Sequence, residues 1–161
     1  LKEQDPSIRA FLADPVGSGL FNKVNNGVMY ANEEAEGKRK RHQTDSITEG
    51  VGLKRLTKNF EVGLPSFEKA FRCTDLEAVQ MSRYLIKREG LFLGSSSALN
   101  LVGAVKVARE MKPGSVIITV LCDGGHRYMS NFYSDDFLAS RKLPPSSSFP
   151  DNPTLQDVVP S

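Results

Sequence analysis

Three short loops contain the small and hydroxyl-bearing residues that are best suited to holding a ligand. They are Gly50-Val51-Gly52, the run Ser95–Ser97 between an apolar stretch and an amphipathic helix, and the segment from Cys122 to Gly125. Glycines let a backbone approach a ligand closely, and serines at a helix start offer hydroxyls beside free backbone N–H groups. Brought together, these loops would line a shallow pocket for a flat ligand.

Each loop also has an ordinary structural explanation. The serines can simply cap a helix, and the two glycine-containing loops can simply be turns. A Cys122–His126 nucleophile pair would need a third, orienting group, and none is evident. With only two histidines in the chain, no metal site is predicted. The standard nucleotide loops GxGxxG and GxxxxGK[ST] are missing.

Periodicity predicts the elements that would position these loops. Apolar runs at 8–14 and 67–73 indicate strands, and the capping-box pair Thr74 and Glu77 begins a helical pattern that ends at Gly90. Further helices are expected over 98–111 and within 126–138. The segment 22–46, with its basic run 38–42 beside an acidic patch, is interpreted as a long solvated loop.

The apolar run 115–122 gives the strongest strand signal of the chain. It is continuous and β-branched, which predicts a strand buried on both faces, as in a parallel sheet covered by helices. The order strand, helix, helix, strand, helix indicates an α/β fold. Ligands bind beyond the carboxyl ends of parallel strands, so we expect the three loops to meet at that edge.

Composition excludes several classes of protein. The chain has 161 residues, a formal net charge of +2 and two cysteines. The charge is too small to indicate a nucleic-acid or membrane partner, and the absence of CxxC spacing favours a reducing compartment. Residues 140–161 are rich in serine and proline, so we divide the chain into a folded part, 1–139, and a tail that need not pack.

Four segments in order resemble one enzyme family. They are FLADPVGS at 11–18, EGVG at 49–52, EGLFLGSSSALNLVGAVKVA at 89–108 and VIITVLCDGGHRYMSNFYSDDFL at 116–138. Together they resemble the cysteine synthase and cystathionine β-synthase family, with some likeness to a fungal cysteine-synthase-like branch. The resemblance implies the C-terminal part of a fold-type II enzyme, with a three-layer parallel sheet and pyridoxal 5'-phosphate as cofactor.

The same resemblance implies roles for residues in the three loops. Ser96 falls on the serine that takes the pyridine nitrogen of the cofactor, and Ser95 helps to shape that turn. Gly50 and Gly52 fall on the loop that passes close to the ring and the substrate. Cys122 and Asp123 fall on the strand end beside the pyridine nitrogen. Two departures from the family pattern affect loop geometry: Ala98 replaces a usual glycine, and Asp123-Gly124-Gly125 replaces serine-containing versions.

A neutral hydroxyl at the pyridine nitrogen does not fix a positive charge there, as a carboxylate would. This suits β-elimination from an activated serine such as O-acetylserine, followed by addition of sulfide or a thiol. The expected function is therefore a step of cysteine synthesis. The alternatives are a cystathionine β-synthase type of activity and a non-catalytic binding module.

The family's Schiff-base lysine would precede Leu1, and no lysine of this chain matches it. No catalytic residue is therefore assigned, and the isolated chain is expected to be inactive. A fragment, a subunit of a split enzyme and a truncated relative all remain open, and a fragment should expose apolar surface. The complete enzyme is expected to be an intracellular homodimer, cytoplasmic or mitochondrial, acting on an amino acid with sulfide or a thiol.

Overall fold

The computed structural model describes residues 1–30 and 46–160, so the basic run 38–42 lies outside the described residues. Its strands are β1 (Ala10–Pro15) and β2 (Phe67–Cys73). Its α-helices are α1 (Leu20–Asn26), α2 (Lys58–Gly63), α3 (Asp75–Tyr84), α4 (Ser95–Glu110), α5 (Asp135–Ser140) and α6 (Leu155–Val158). Short 3₁₀ turns lie at Leu64–Ser66, Gly125–Tyr128 and Ser146–Ser148.

The two strands pair in parallel, which confirms the strands expected at 8–14 and 67–73. The register runs from Ala10 opposite Phe67 to Pro15 opposite Cys73. Helices α1 and α4 pack against this pair of strands. Parallel strands require a crossover between them, and covering helices bury the faces of such a sheet. The α/β class is therefore confirmed.

The capping box predicted at Thr74 forms and begins α3. The Thr74 hydroxyl accepts a hydrogen bond from the backbone N–H of Glu77 at 3.2 Å, and the Glu77 carboxylate accepts from the Thr74 N–H at 2.7 Å. The helix continues through a π-helical turn, Leu85–Glu89, and ends at Gly90, whose φ of 68° is left-handed. Both ends of this helix agree with the prediction, because capping signals are local.

The core lies between α3, α4 and the segments that follow them. Its largest fully buried side chains include Met81, Leu99, Val102, Phe132 and Leu138. Lys106 of α4 reaches Glu77 of α3 with a 2.6 Å ion pair at the margin of this core. The packing fixes α4 in place, and α4 in turn carries the three serines at its first turn.

The predicted strand at 115–122 is wrong for the described chain. The segment has no regular secondary structure, and Val116 and Ile118 are 85% and 90% exposed. A β-branched run has a high strand propensity, but a strand exists only where its backbone pairs with a neighbour. Among the described residues the sheet consists of β1 and β2 alone, and neither pairs with this segment.

Three other expectations need correction. The tail packs: Phe149, Pro153, Val158 and Val159 are buried, and α6 packs against α3. Arg109 of α4 also donates hydrogen bonds to the Val159 and Pro160 carbonyls. The start of the expected loop 22–46 instead belongs to α1, which ends at Gly27 in a left-handed cap. The expected helix within 126–138 is a 3₁₀ turn followed by the start of α5. The division of the chain at 139 stays a prediction.

Candidate cofactor site

The first turn of α4 begins with the three serines, and the residue that precedes them is a glycine for a steric reason. Gly94 is the N-cap and its N–H donates to the carbonyl of Asp123 at 2.9 Å. A Cβ at this position would lie 2.0 Å from Oδ1 of Asp123 and 2.8 Å from the Tyr128 ring. Only glycine lets the 122–124 loop lie this close to the helix start.

Ser95 ties the helix to the glycine loop. Its Oγ accepts a hydrogen bond from the backbone N–H of Glu49 at 3.2 Å, and its side chain is fully buried. The next residues, Gly50 and Gly52, have φ values of 78° and 80°. Glycine is the residue type that adopts this left-handed conformation without strain. The loop can therefore turn twice within three residues beside the start of α4.

Ser97 ties the same helix turn to the third loop. Its Oγ accepts from the Cys122 N–H at 2.8 Å and donates to the Asp123 carbonyl at 3.5 Å. An antiparallel bridge between Leu93 and Gly124 reinforces this contact. The structure thus brings the three predicted loops together, although the strand expected to deliver the third one is not formed.

Ser96 differs from both neighbours. It is 7% exposed whereas Ser95 and Ser97 are fully buried. No residue of the described chain forms a hydrogen bond with its hydroxyl, while the hydroxyls on either side are both used. None of the three serines acts as the side-chain cap of α4. The expectation that they cap the helix is therefore wrong, and Ser96 keeps a free hydroxyl at a helix start.

Asp123 is held by an aromatic residue. Its Oδ2 accepts from the Tyr128 hydroxyl at 2.7 Å, while Oδ1 is buried without a partner in the described chain. The hydrogen bond to this carboxylate, together with burial, raises the pKa of Tyr128 to about 12. Asp123 therefore stabilises the loop beside Ser96, and its carboxyl group lies close to the start of α4.

Cys122 and His126 form no nucleophile pair. The Cys122 thiol is exposed and lies 3.6 Å from the Asn100 amide, and the His126 ring packs edge-on against Phe92 at 4.9 Å. Sequence reasoning missed Asn100, which also donates to the Val120 carbonyl at 3.1 Å. It lies four residues after Ser96 on α4, and this helical spacing was the signal that could have identified it.

Two more contacts that hold the site were missed. The Glu49 carboxylate accepts from the Asn131 side chain at 2.8 Å, which ties the glycine loop to the turn after the 3₁₀ segment. Tyr128 holds Asp123, as described above. Asn131 and Glu49 are far apart in the chain, so no local pattern in the sequence pointed to their contact. Tyr128 lies only five residues after Asp123, but no regular element spans the two and sets their spacing.

The fold neighbours define the class of protein. A crystal structure of an O-acetylserine dependent cystathionine beta-synthase from Helicobacter pylori matches with a TM-score of 0.61 at 30% identity, over 81% of this chain and 36% of that one. An O-ureido-L-serine synthase matches with the same TM-score at 22% identity, which shows the fold alone. The architecture is that of the fold-type II pyridoxal-phosphate enzymes.

The chain belongs to the family of pyridoxal-phosphate dependent enzymes, whose model matches residues 1–123. It is 52% identical over 145 residues to cysteine synthase 2 of Schizosaccharomyces pombe, covering 90% of this chain and 37% of that protein. It is 50% identical over 138 residues to the cysteine synthase of Dictyostelium discoideum, covering 86% of this chain and 36% of that one. The chain spans about a third of the length of the curated relatives it matches.

The residues at the loop cluster fit the ring of the family's cofactor. A pyridine nitrogen needs one hydrogen-bond partner, and the Ser96 hydroxyl is free for that contact. The left-handed Gly50 and Gly52 have no Cβ that could obstruct a flat ring beside the turn. The Ser96 hydroxyl and the two glycines therefore leave room and one hydrogen-bonding group for such a ring, while the roles of the individual residues stay a prediction.

Proposed function

We propose that the protein to which this chain belongs is a pyridoxal-phosphate dependent cysteine synthase. The reaction would be β-elimination from an activated serine such as O-acetylserine, followed by addition of sulfide. Support comes from family membership and from relatives named cysteine synthase at 46–52% identity over most of the chain. A second support is the loop cluster around the start of α4, whose free hydroxyl suits the cofactor.

The observation that carries the proposal is the free hydroxyl of Ser96. In this proposal it makes a hydrogen bond with the pyridine nitrogen of the cofactor and orients the ring. Ser95 and Ser97 do not compete for that role, because their hydroxyls are bonded to Glu49 and to the 122–123 loop. A neutral partner leaves the nitrogen without a fixed charge, which favours elimination of a good leaving group.

The other predicted site residues take supporting roles. Gly50 and Gly52 let the backbone approach the ring and the substrate, and Cys122 with Asp123 forms the wall beside the nitrogen. The Tyr128 hydrogen bond holds Asp123 in that wall. The cofactor, when bound, supplies the electron sink for bond breaking at the substrate. This chain supplies the orientation of the ring.

The partners of the reaction follow from the same proposal. The substrates would be an amino acid and sulfide or a thiol, and the lysine that binds the cofactor covalently would come from a segment outside these 161 residues. We further propose a homodimeric complete enzyme that is intracellular. One budding yeast relative, 48% identical over 124 residues, has a name that includes "mitochondrial cysteine synthase", which favours mitochondria over the cytoplasm. None of the helices in the described part of the chain is long and apolar enough to cross a membrane.

The first experiment is to recover the native polypeptide from its source and to measure its mass, its cofactor absorbance and its products. Cysteine formed from O-acetylserine and sulfide by a species that contains the cofactor would support the proposal. Cystathionine formed from serine and homocysteine in preference would favour the second activity. A chain of this size that is recovered alone and without cofactor would refute both enzyme proposals and leave the binding module.

A pair of Ser96 substitutions tests the role of the hydroxyl in the complete enzyme. Ser96→Ala should weaken cofactor affinity by about tenfold, because one hydrogen bond is lost. Ser96→Asp should shift the cofactor absorbance towards the form protonated at the ring nitrogen. Ser140→Ala is the matched control, since Ser140 is exposed on α5 and bonds only within its own helix. If both Ser96 variants keep the wild-type spectrum and rate, Ser96 does not contact the cofactor.

A further inference from the structure

A second polar site lies away from the loop cluster, at Arg83 of α3. Arg83 is 8% exposed, and its Nε and Nη2 atoms are buried without a hydrogen-bond partner in the described chain. Its contact with Tyr133 is a cation–π one, with the guanidinium carbon 4.7 Å from the ring centroid. A guanidinium carries five N–H donors in a rigid fork, so most of its hydrogen-bonding capacity is unused.

An unpaired buried guanidinium is unusual and costly. Buried donors are nearly always paired in native proteins, and a buried charge is normally matched by an opposite one. Burial lowers the pKa of Arg83 here, which is the expected sign for a desolvated cation. The group nevertheless stays charged, because an arginine does not lose its proton in proteins. The Asp135 carboxylate acts on Arg83 through its charge, but among the described residues the Nε and Nη2 donors of Arg83 have no hydrogen-bond partner. The guanidinium therefore keeps donors for a further anionic group.

Arg83 lines a cavity of about 190 Å³ between α3 and the tail. The cavity opens to solvent past Ser146, Ser148 and Asp157, which are all exposed. Apolar walls come from Val79, from Phe149 and from three prolines, Pro144, Pro145 and Pro150. At ~30 Å³ per water this volume has room for about six waters, or for a small organic ligand with a few waters. None of these residues belongs to the loops around the start of α4.

The neighbouring charges are already engaged, with one exception. The Asp135 carboxylate accepts from the Ser146 N–H at 2.8 Å and from its hydroxyl at 2.9 Å. Lys87 pairs with Asp151 at 3.1 Å. Asp157 lines the cavity and bonds to Thr154, whose hydrogen bonds lower the pKa of Asp157. Asp157 is the exception in charge only: no basic side chain of the described residues pairs with it, although its Oδ2 accepts both hydrogen bonds from Thr154. The cavity is therefore lined by a guanidinium with unused donors and by a carboxylate without a cationic partner.

We propose that this cavity binds a small α-amino acid, with its carboxylate on Arg83 and its ammonium group on Asp157. The planar fork of an arginine matches a carboxylate with two parallel hydrogen bonds. The cavity is large enough to admit alanine, and the apolar walls accommodate a short side chain. The site consists of α3 and the tail, so the inference rests on its own residues and not on the proposed function.

Three small probes separate the two charge contacts. L-alanine has both groups, propionate has only the carboxylate, and ethylamine has only the ammonium. Titrated into isotopically labelled protein, alanine should shift the amide signals of residues 146–149 and of Arg83 at the lowest concentration. Propionate should bind about tenfold more weakly and ethylamine more weakly still, since each lacks one charge-assisted contact. Equal binding of all three, or shifts elsewhere only, would overturn the proposal.

Substitutions in the protein test the same contacts. Arg83→Gln should weaken alanine binding by about tenfold or more, and Asp157→Asn should make propionate bind as well as alanine. Arg88→Gln is the matched control, because Arg88 is exposed and bonds to Asn152. Ser96→Ala should leave the affinity for alanine at this cavity unchanged, because Ser96 does not line it. The alanine titration therefore tests this proposal separately from the cofactor proposal. Unchanged affinity in Arg83→Gln would overturn the assignment.

Arg83→Met gives a second measurement that does not depend on binding. If no other group pairs with the guanidinium, the ligand-free variant should be at least as stable as the parent, because an unpaired buried charge is replaced by an apolar chain. Alanine should raise the melting temperature of the parent and leave that of Arg83→Met unchanged. A strongly destabilised variant, together with no effect of alanine on the parent, would show that Arg83 already has a partner and would refute the proposal.

Discussion

The contact between α4 and β1 gives a prediction with a definite sign. Gly103 lies on the face of α4 that packs on β1, and a Cβ at this position would be 2.5 Å from the Cβ of Ala13 and 3.5 Å from its Cα. Carbon atoms of packed side chains normally stay ~3.5–4.0 Å apart. Gly103→Ala would therefore force the helix and the strand apart by about 1 Å.

Two opposing effects decide the magnitude. Replacing a helical glycine by alanine normally stabilises a helix by about 1 kcal/mol. Inserting a methyl group into a packed contact costs about 1–3 kcal/mol. We expect the upper part of this range, about 2–3 kcal/mol, because both partners here are regular elements that move as units. We expect a net loss of about 1–2 kcal/mol in the free energy of unfolding, or about 2–8 °C in melting temperature for a protein of this size.

Gly63→Ala is the matched control, because Gly63 is at the end of α2 and a Cβ added there would have no atom within 4 Å. This variant should gain a few tenths of a kcal/mol from helix propensity alone. The double variant Ala13→Gly with Gly103→Ala should recover most of the lost stability, because the strand then supplies the space. Thermal and urea unfolding measure all three variants. If Gly103→Ala is as stable as Gly63→Ala, the close approach of α4 and β1 is not as described.

Two further predictions concern titratable groups. Burial raises the pKa of the Cys73 thiol to about 12, whereas the Cys122 thiol is exposed. An aromatic disulfide reagent should therefore label Cys122 quickly and Cys73 only on unfolding. Equal labelling rates for the two thiols would contradict this. Tyr128 keeps its proton in the folded state up to a pKa of about 12 against an ordinary 10, so its contribution to stability is complete below pH 10 and is lost as the pH rises to 12. In alkaline unfolding Tyr128→Phe should reduce that loss, and an unchanged slope would show that the Asp123 hydrogen bond is not the cause.

Local signals in the sequence were sufficient for much of the fold. The capping box at Thr74, the left-handed end at Gly90 and the apolar periodicity of α4 each depend on residues within one or two turns, so they form as predicted. The run 115–122 has equally strong propensity, yet it remains irregular in the described chain. A helix satisfies its own backbone, whereas a strand needs a neighbour that propensity does not supply.

The sequence predicted that the three loops would meet, but it predicted few of the contacts that hold them. Ser95 and Ser97 join the start of α4 to Glu49 and to Cys122, so the loops do lie together. The hydrogen bond from Tyr128 to Asp123 lies within one irregular loop. The hydrogen bond from Asn131 to Glu49 joins distant parts of the chain. No sequence pattern predicts either hydrogen bond. The prediction that the tail need not pack came from its overall content of serine and proline. That average hides the few apolar residues, such as Val158, that are buried in the structure.

The geometry of a helix explains why three identical residues acquire different roles. Successive side chains on an α-helix are ~100° apart, so Ser95 and Ser97 diverge by ~200° and Ser96 lies between them. The outer two reach the loops on either side, at Glu49 and at Cys122. The middle one is then left with a free hydroxyl, held at a fixed angle by the bonds of its neighbours. Because Gly94 and not a serine is the N-cap, and because the flanking serines already bond to the two loops, the Ser96 hydroxyl has no hydrogen-bond partner in the described chain.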